Sequence, residues 1–146
     1  MENCPPEAVN YRNTEVEILN EHEKKPRIIA VANQKGGVGK TTTTINLATA
    51  LAAIEKRVLV LDLDPQGNAS TGLGIDQKER HINAYHIVIG AANLDEAILD
   101  TAVPSLSVVT SGVDLSGAEI ELIDLEDRMF RLKLALSNLT IDYDYV

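Results

Sequence analysis

The sequence predicts an α/β fold in which helices flank a mostly parallel sheet. Two short, continuous apolar runs, Arg27–Ala32 (RIIAVA) and Arg57–Leu63 (RVLVLDL), have the character of strands buried on both faces. Between them a glycine-rich stretch leads into a segment with helical spacing. Composition agrees: one Phe, four Tyr and no Trp in 146 residues leave the core to Ile, Leu, Val and Ala, which suits helices packed on an aliphatic sheet.

Residues 1–26 read as an acidic leader. Met1–Lys25 carries six Glu against three basic residues, with Pro5 and Pro6 and few apolar side chains. Such a segment buries too little to order itself, so a solvated arm is expected in preference to a short helix capped by Thr14 and Glu17 and ending by His22. Pro26 marks the boundary of a domain over 27–146. Arg27–Ala32 is its first expected strand, buried and parallel. Thr41–Ile54 places Ile45, Ala48 and Ala52, and again Leu47, Leu51 and Ile54, on the broad apolar face of a helix. Arg57–Leu63 returns as a second buried strand, completing one βαβ unit.

Gln66–Leu73 is rich in Gly, Asn, Ser and Thr and is expected to be loop, followed by weaker helical patterns over Gln77–Val88 and Asn93–Leu99. Ser105–Thr110 (SLSVVT) is a further strand. Ser116 and Glu119 fit a capping box, with Leu115 and Ile120 placed for a hydrophobic staple. From there Ala118, Leu122, Leu125, Met129, Leu132, Leu136 and Leu139 trace one apolar stripe. Ile120, Ile123, Phe130 and Leu134 widen that stripe, which favours one long helix lying on the sheet over a coiled-coil seam. Tyr143–Val146 opens another strand, and the chain stops there, implying a sheet interrupted part-way.

A net charge of −9, from 22 acidic and 13 basic residues, disfavours this stretch as a surface for tracking nucleic-acid phosphates. Cys4 is the single cysteine, so no internal disulfide forms, and no Cys/His cluster has metal-ligand spacing. No run approaches the roughly 18 apolar residues of a membrane span. A soluble cytoplasmic protein without a membrane role is expected.

The chemistry gathers at Asn33–Thr44, NQKGGVGKTTTT. The strict phosphate-loop pattern G-x-x-x-x-G-K-[ST] fails here, because Gln34 stands where its first glycine belongs. K-G-G-x-G-K-T replaces it. Gly36, Gly37 and Gly39 let the backbone wrap closely round an anion, and a helix starting near Lys40 adds the positive end of its dipole. Lys40 supplies a charge for the outer phosphates, and the Thr41 hydroxyl is placed to ligate Mg²⁺. A nucleoside triphosphate is the expected ligand. Asp62 and Asp64 follow at the carboxyl end of the second strand, where ligands bind in open α/β sheets. There they could hold the waters of Mg²⁺ or orient an attacking one; the alternative is a strand end running into a Pro-Gln-Gly turn. The functional reading is stronger for Asp64 than for Asp62.

Lys35-Gly36-Gly37-Val38-Gly39-Lys40-Thr41-Thr42 resembles the deviant Walker A loop of the ParA-type partition ATPases, which have a P-loop NTPase-like fold. Asp62-Leu63-Asp64-Pro65-Gln66-Gly67-Asn68-Ala69-Ser70 is similar to the partition branch in particular, and differs from MinD-like, arsenite-pump and nitrogenase-reductase members. Ser116–Leu122 (SGAEIEL) also resembles a signature of that branch. The likeness runs from Arg27 to Val146.

The resemblance implies ATP and Mg²⁺ as cofactors, a catalytic set of Lys35, Lys40 and Asp64, a phosphate-binding loop over residues 35–42, and Thr41, Asp62 and Asp64 at the metal. Lys35 would reach across an ATP-sandwiched homodimer to the second subunit's phosphates, Lys40 would hold the β and γ phosphates, and Asp64 would position the hydrolytic water. The family's dimer binds DNA non-specifically on the bacterial nucleoid, and a centromere-binding ParB-type protein stimulates hydrolysis. Two departures stand out. Glu55 replaces a glycine at the end of the first helix, so a different cap geometry is expected. Family members also continue beyond the strand begun at Tyr143, into a second acidic magnesium motif, an adenine pocket and the DNA surface. The chain is therefore expected to be the N-terminal half of such an ATPase, inactive alone. The alternatives are a short non-catalytic module that pairs with a full-length homologue, and a MinD-like ATPase.

Overall fold

The computed structural model describes residues 25–123 and 127–146. The leader helix considered after Thr14, and Leu125 of the apolar stripe, lie outside them. The sheet contains β1 (Val58–Leu61), β2 (Ile98–Asp100) and β3 (Leu106–Val109). β3 is central, parallel to β1 with Val58 opposite Leu106, and antiparallel to β2 with Ile98 opposite Val109. On the other side of β1, Tyr145 bridges in parallel to Val58 and also to Arg27. The row is thus Arg27, Tyr145, β1, β3, β2, mostly parallel as expected.

Around it lie α1 (Lys40–Ala53), α2 (Asn68–Gly72), α3 (Ala84–Ile89), α4 (Leu115–Glu121) and α5 (Arg131–Ser137). Alternate strand residues serve opposite faces. Val58, Val60, Leu106 and Val108 pack against Ala48 and Ala52 of α1 and against Leu73 and Ile75. Leu59 and Val109 pack on the other side against Ala84 and Ile87 of α3, with Ala135 and Leu136 of α5 beside them. Both faces of the parallel pair are covered, which explains why the runs read as continuously apolar. The α3 face is tied laterally by Arg131, whose Nε and Nη2 donate to the carbonyls of Val88 and Ile89. The Tyr85 hydroxyl donates to the Glu121 carboxylate at 2.9 Å, a hydrogen bond that joins α3 to α4 and holds the phenol above its ordinary pKa. Among the described residues no helix is long and apolar enough to cross a membrane.

Several expectations are corrected. Arg27–Ala32 is not a buried strand. Arg27 and Ile29 donate to the carbonyls of Asp144 and Val146, but beyond them the segment borders an open cleft, and Ile28 is 60% exposed. Gln66–Leu73 is not all loop, because α2 forms inside it. The second weak helical pattern stops short: a 3₁₀ turn at Leu94–Ala97 gives way to the edge strand β2. The single helix expected from Ser116 to Leu139 is broken into α4, a 3₁₀ turn at Arg128–Phe130, and α5. A straight helix over that range would be about 36 Å long, whereas four-residue strands span only about 13 Å, so a bend is needed to keep both ends on the core. Ala118 is buried, and Leu136 and Leu139 pack on the core, but Ile120, Ile123, Met129, Phe130 and Leu134 are exposed. The cap of α4 is Asp114, whose Oδ1 accepts from the Leu115 amide, and this places Ser116 within the first turn instead of at the cap.

Glu55 overturns its expectation differently. It sits at φ 61°, while its amide donates to Ala52 and the Lys56 amide to Leu51. That is the left-handed Schellman ending a glycine would make, adopted by a residue with a Cβ. Glu55→Gly should therefore raise stability by about 1 kcal/mol, the lower end of the left-handed penalty. Leu59→Ala should cost about 2–5 kcal/mol, because its side chain is fully buried in the cluster on the α3 face. Urea unfolding of both variants checks the two signs.

Candidate functional site

The end of the sheet where β1 and β3 finish carries the predicted residues. The Asn33 side-chain oxygen accepts from the Lys35 amide at 2.9 Å and starts the loop. Gly37 and Gly39 lie at φ 71° and 86°, a region that side chains rarely enter, and Gly39 is the residue that caps α1. Among the described residues no side chain accepts from the amides of the first turn of α1, and no acid lies in that turn. Those amides and the positive end of a 14-residue helix therefore remain for an external anion. Lys40 folds back so that its Nζ donates to the Lys35 carbonyl at 3.3 Å, while Lys35 itself is exposed.

Asp62 leaves β1 on the same side as Val58 and Val60 and is only 4% exposed. Its Oδ2 accepts from the Ser70 amide at 2.8 Å and the Ser70 hydroxyl at 2.7 Å, and its Oδ1 accepts from the Asp64 amide at 3.2 Å. The Ser70 hydroxyl in turn accepts from the Ser111 amide, beyond β3. Asp64 is half-buried; its Oδ1 accepts from the Gln66 amide and its carbonyl from the Gly67 amide, closing a tight turn before α2. Gly67 has φ 61° and caps α2, and a Cβ there would come within 2.9 Å of the Ser111 carbonyl oxygen. Arg80 braces the same place, with Nη1 donating to the carbonyls of Gly67 and Ser111.

One cleft of about 600 Å³ is lined in part by Asn33, Lys40, Thr41 and Thr44 with Asp62, Asp64 and Pro65. The rest of its wall is apolar, formed by residues 28–32 and β1 with Leu47 and Leu51 of α1 and Leu132 and Leu136 of α5. The structure thus brings Lys40, Thr41, Asp62 and Asp64 together. Lys35, Gly36, Gly37, Val38, Gly39 and Thr42 stand outside the cleft wall, in and just after the exposed turn above it. Ser70, Asn33 and Thr44 were missed. For Ser70 a signal existed: period-2 alternation from Val58 and Val60 sends Asp62 into the interior, where a carboxylate must find donors. Among the described residues, no three His, Cys, Asp or Glu side chains form a metal cage of their own.

A glycine loop with left-handed residues, a helix that starts from it, a lysine folded over that loop, and a nearby carboxylate pair on the turn after β1 define an α/β domain of the P-loop class. Comparison with known proteins agrees. The family model described as "AAA domain" matches residues 26–146. The chromosome partitioning protein ParA of Caulobacter vibrioides is 51% identical over 122 residues, which cover 82% of this chain and 46% of that protein. The sporulation initiation inhibitor protein Soj of Bacillus subtilis is 48% identical, with 82% and 47% covered. Among solved structures, cobyrinic acid a,c-diamide synthase from Mycobacterium smegmatis, with bound ADP and magnesium, superposes with a TM-score of 0.79 at 38% identity, covering 83% of this chain and 49% of that one. The chain belongs to this AAA domain family, and within it is similar to the ParA and Soj partition proteins. It spans about half the length of the curated relatives it matches.

Gly67→Ala tests the local geometry. A left-handed backbone and a clash with a backbone oxygen both oppose the methyl group, so a loss of about 1–3 kcal/mol is expected in denaturant unfolding, with faster amide exchange at Thr71.

Proposed function

We propose that this chain is the ATP-binding half of a partition ATPase. The observation that carries the reading is that Lys40, Thr41 and Asp64 line one cleft, with Lys40 and Thr41 opening α1 after its Gly39 cap. Glycines without Cβ atoms, first-turn amides and Lys40 suit the oxygens of a polyphosphate. The Thr41 hydroxyl and Asp64 are the groups proposed to hold Mg²⁺, with Asp62 beside them. The fit is good because Mg²⁺ takes only one or two protein oxygens, keeping waters and phosphate oxygens for the rest. Bound there, the ion would spread the negative charge of the phosphates. Asp64 orients the attacking water, and Lys40 steadies the charge that builds on the phosphate oxygens.

Lys35 has a separate role in this proposal. Lying exposed while Lys40 lies across the loop, it serves the phosphates of a second copy, so that ATP draws two chains together. In the whole protein that dimer binds DNA non-specifically, and a ParB-type protein stimulates its hydrolysis. Similarity to ParA and Soj supports these steps. With a net charge of −9, the DNA surface is assigned to other parts of the whole protein.

Calorimetry with Mg-ADP tests the reading. Lys40→Ala should weaken binding at least about tenfold, equivalent to roughly 1.4 kcal/mol. Lys35→Ala should leave single-chain affinity within about threefold, since its target is a different nucleotide. Absence of magnesium-dependent binding by the unaltered chain would refute the proposal.

A further inference from the structure

We propose that Asp62 is a positioning residue and not a magnesium ligand: with Ser70 it clamps the 62–70 turn, and hence Asp64, to the chain beyond β3. An ionised carboxylate offers about four acceptor sites. For Asp62, three of these take protein donors, namely the amide and hydroxyl of Ser70 and the amide of Asp64. With 4% of the residue exposed, little remains for a cation. Asp64 is the opposite case. It is half-buried, and among the described residues its Oδ2 accepts no hydrogen bond, so it has an oxygen to offer.

Ser70 makes the clamp two-sided. It is fully buried, its one hydroxyl proton is spent on Asp62, and its oxygen accepts from the Ser111 amide at 3.1 Å. Arg80 holds the Ser111 carbonyl from the same side. Ser111 is therefore gripped at both its amide and its carbonyl by groups that also fix the turn carrying Asp64. A displacement at either end must be felt at the other, although the residues lie 41 apart in sequence. Outer groups of this kind orient the groups that do touch a metal.

The inference rests on the nucleotide reading only for what Asp64 is positioned to meet; the clamp itself is independent of it. The test uses the full chain with Ser70→Ala, Asp62→Asn and the double variant. Two quantities are measured: amide hydrogen exchange at Asp64 and Ser111, and apparent Mg²⁺ affinity in the presence of ADP. Ser70→Ala should accelerate exchange at both amides and weaken Mg²⁺ by roughly tenfold, the lower end of what outer groups cost. Asp62→Asn should do the same, and the double variant should be no worse than the worse single one, because both cut one linkage. A purely structural serine would lower the unfolding midpoint and leave Mg²⁺ affinity unmoved, which would overturn the proposal. So would loss of Mg²⁺ affinity in Asp62→Asn with Ser70→Ala unchanged, the pattern of a direct ligand. If Asp62→Asn does not fold, Ser70→Ala decides alone. If the unaltered chain binds no Mg-ADP, the nucleotide reading fails, and exchange at the two amides still decides the clamp: unchanged rates overturn it.

Discussion

One constraint organises this end of the molecule: β1 is buried on both faces, and its next inward-facing residue is an aspartate. Val58 and Val60 face α1, so Asp62 follows them into the interior. A charge placed there without donors would cost several kcal/mol. The chain answers with a turn and a short helix that deliver the amide and hydroxyl of Ser70 to one carboxylate oxygen. Gly67 permits that turn by taking a left-handed backbone against the Ser111 carbonyl. Asp64 is carried on the same turn, beside the start of α1. The site is thus assembled by the need to satisfy one buried charge.

What the sequence reveals of this depends on how local each cause is. The second half of the expected βαβ unit, α1 and β1, was legible because its signals lie within a few residues: glycines that remove Cβ atoms, a helical stripe through Ala48 and Ala52, and the apolar run at Val58–Leu61. α2 was hidden. Asn68-Ala69-Ser70-Thr71-Gly72 has the composition of a loop, and its helix is fixed by Asp62, eight residues before Ser70, and by Arg80, nine residues after Thr71. The break between α4 and α5 was hidden for another reason. Heptad-like spacing from Ala118 to Leu139 records which residues are apolar, whereas the length of sheet available to cover them is set elsewhere in the chain. Likewise RIIAVA has the pattern of a buried strand, but burial requires neighbours on both sides, and those beyond Ile29 border the cleft. Glu55 shows the reverse error. The missing glycine suggested a new cap, yet the Schellman hydrogen bonds outweigh the strain of one left-handed residue.

The charge pattern makes the same point about the loop. The chain carries 22 acidic residues, yet from Ile28 to Ile54 the only charged side chains are Lys35 and Lys40. An anion approaching this end of α1 therefore meets two ammonium groups and, among the described residues, first-turn amides with no side-chain acceptor, with Asp62 and Asp64 lining the same cleft. Overall charge would repel it; the two ammonium groups offset that repulsion locally, because charges farther away than about one Debye length, near 8 Å at physiological salt, are largely screened. Geometry separates the two lysines. Lys40 is bent over the loop onto the Lys35 carbonyl, which keeps its charge close to the start of the helix. Lys35 is exposed and, among the described residues, forms no ion pair. If both served the same phosphates, the second ammonium would add mainly repulsion between like charges. An exposed partner for a separate anion is the arrangement in which a second lysine adds something the first does not.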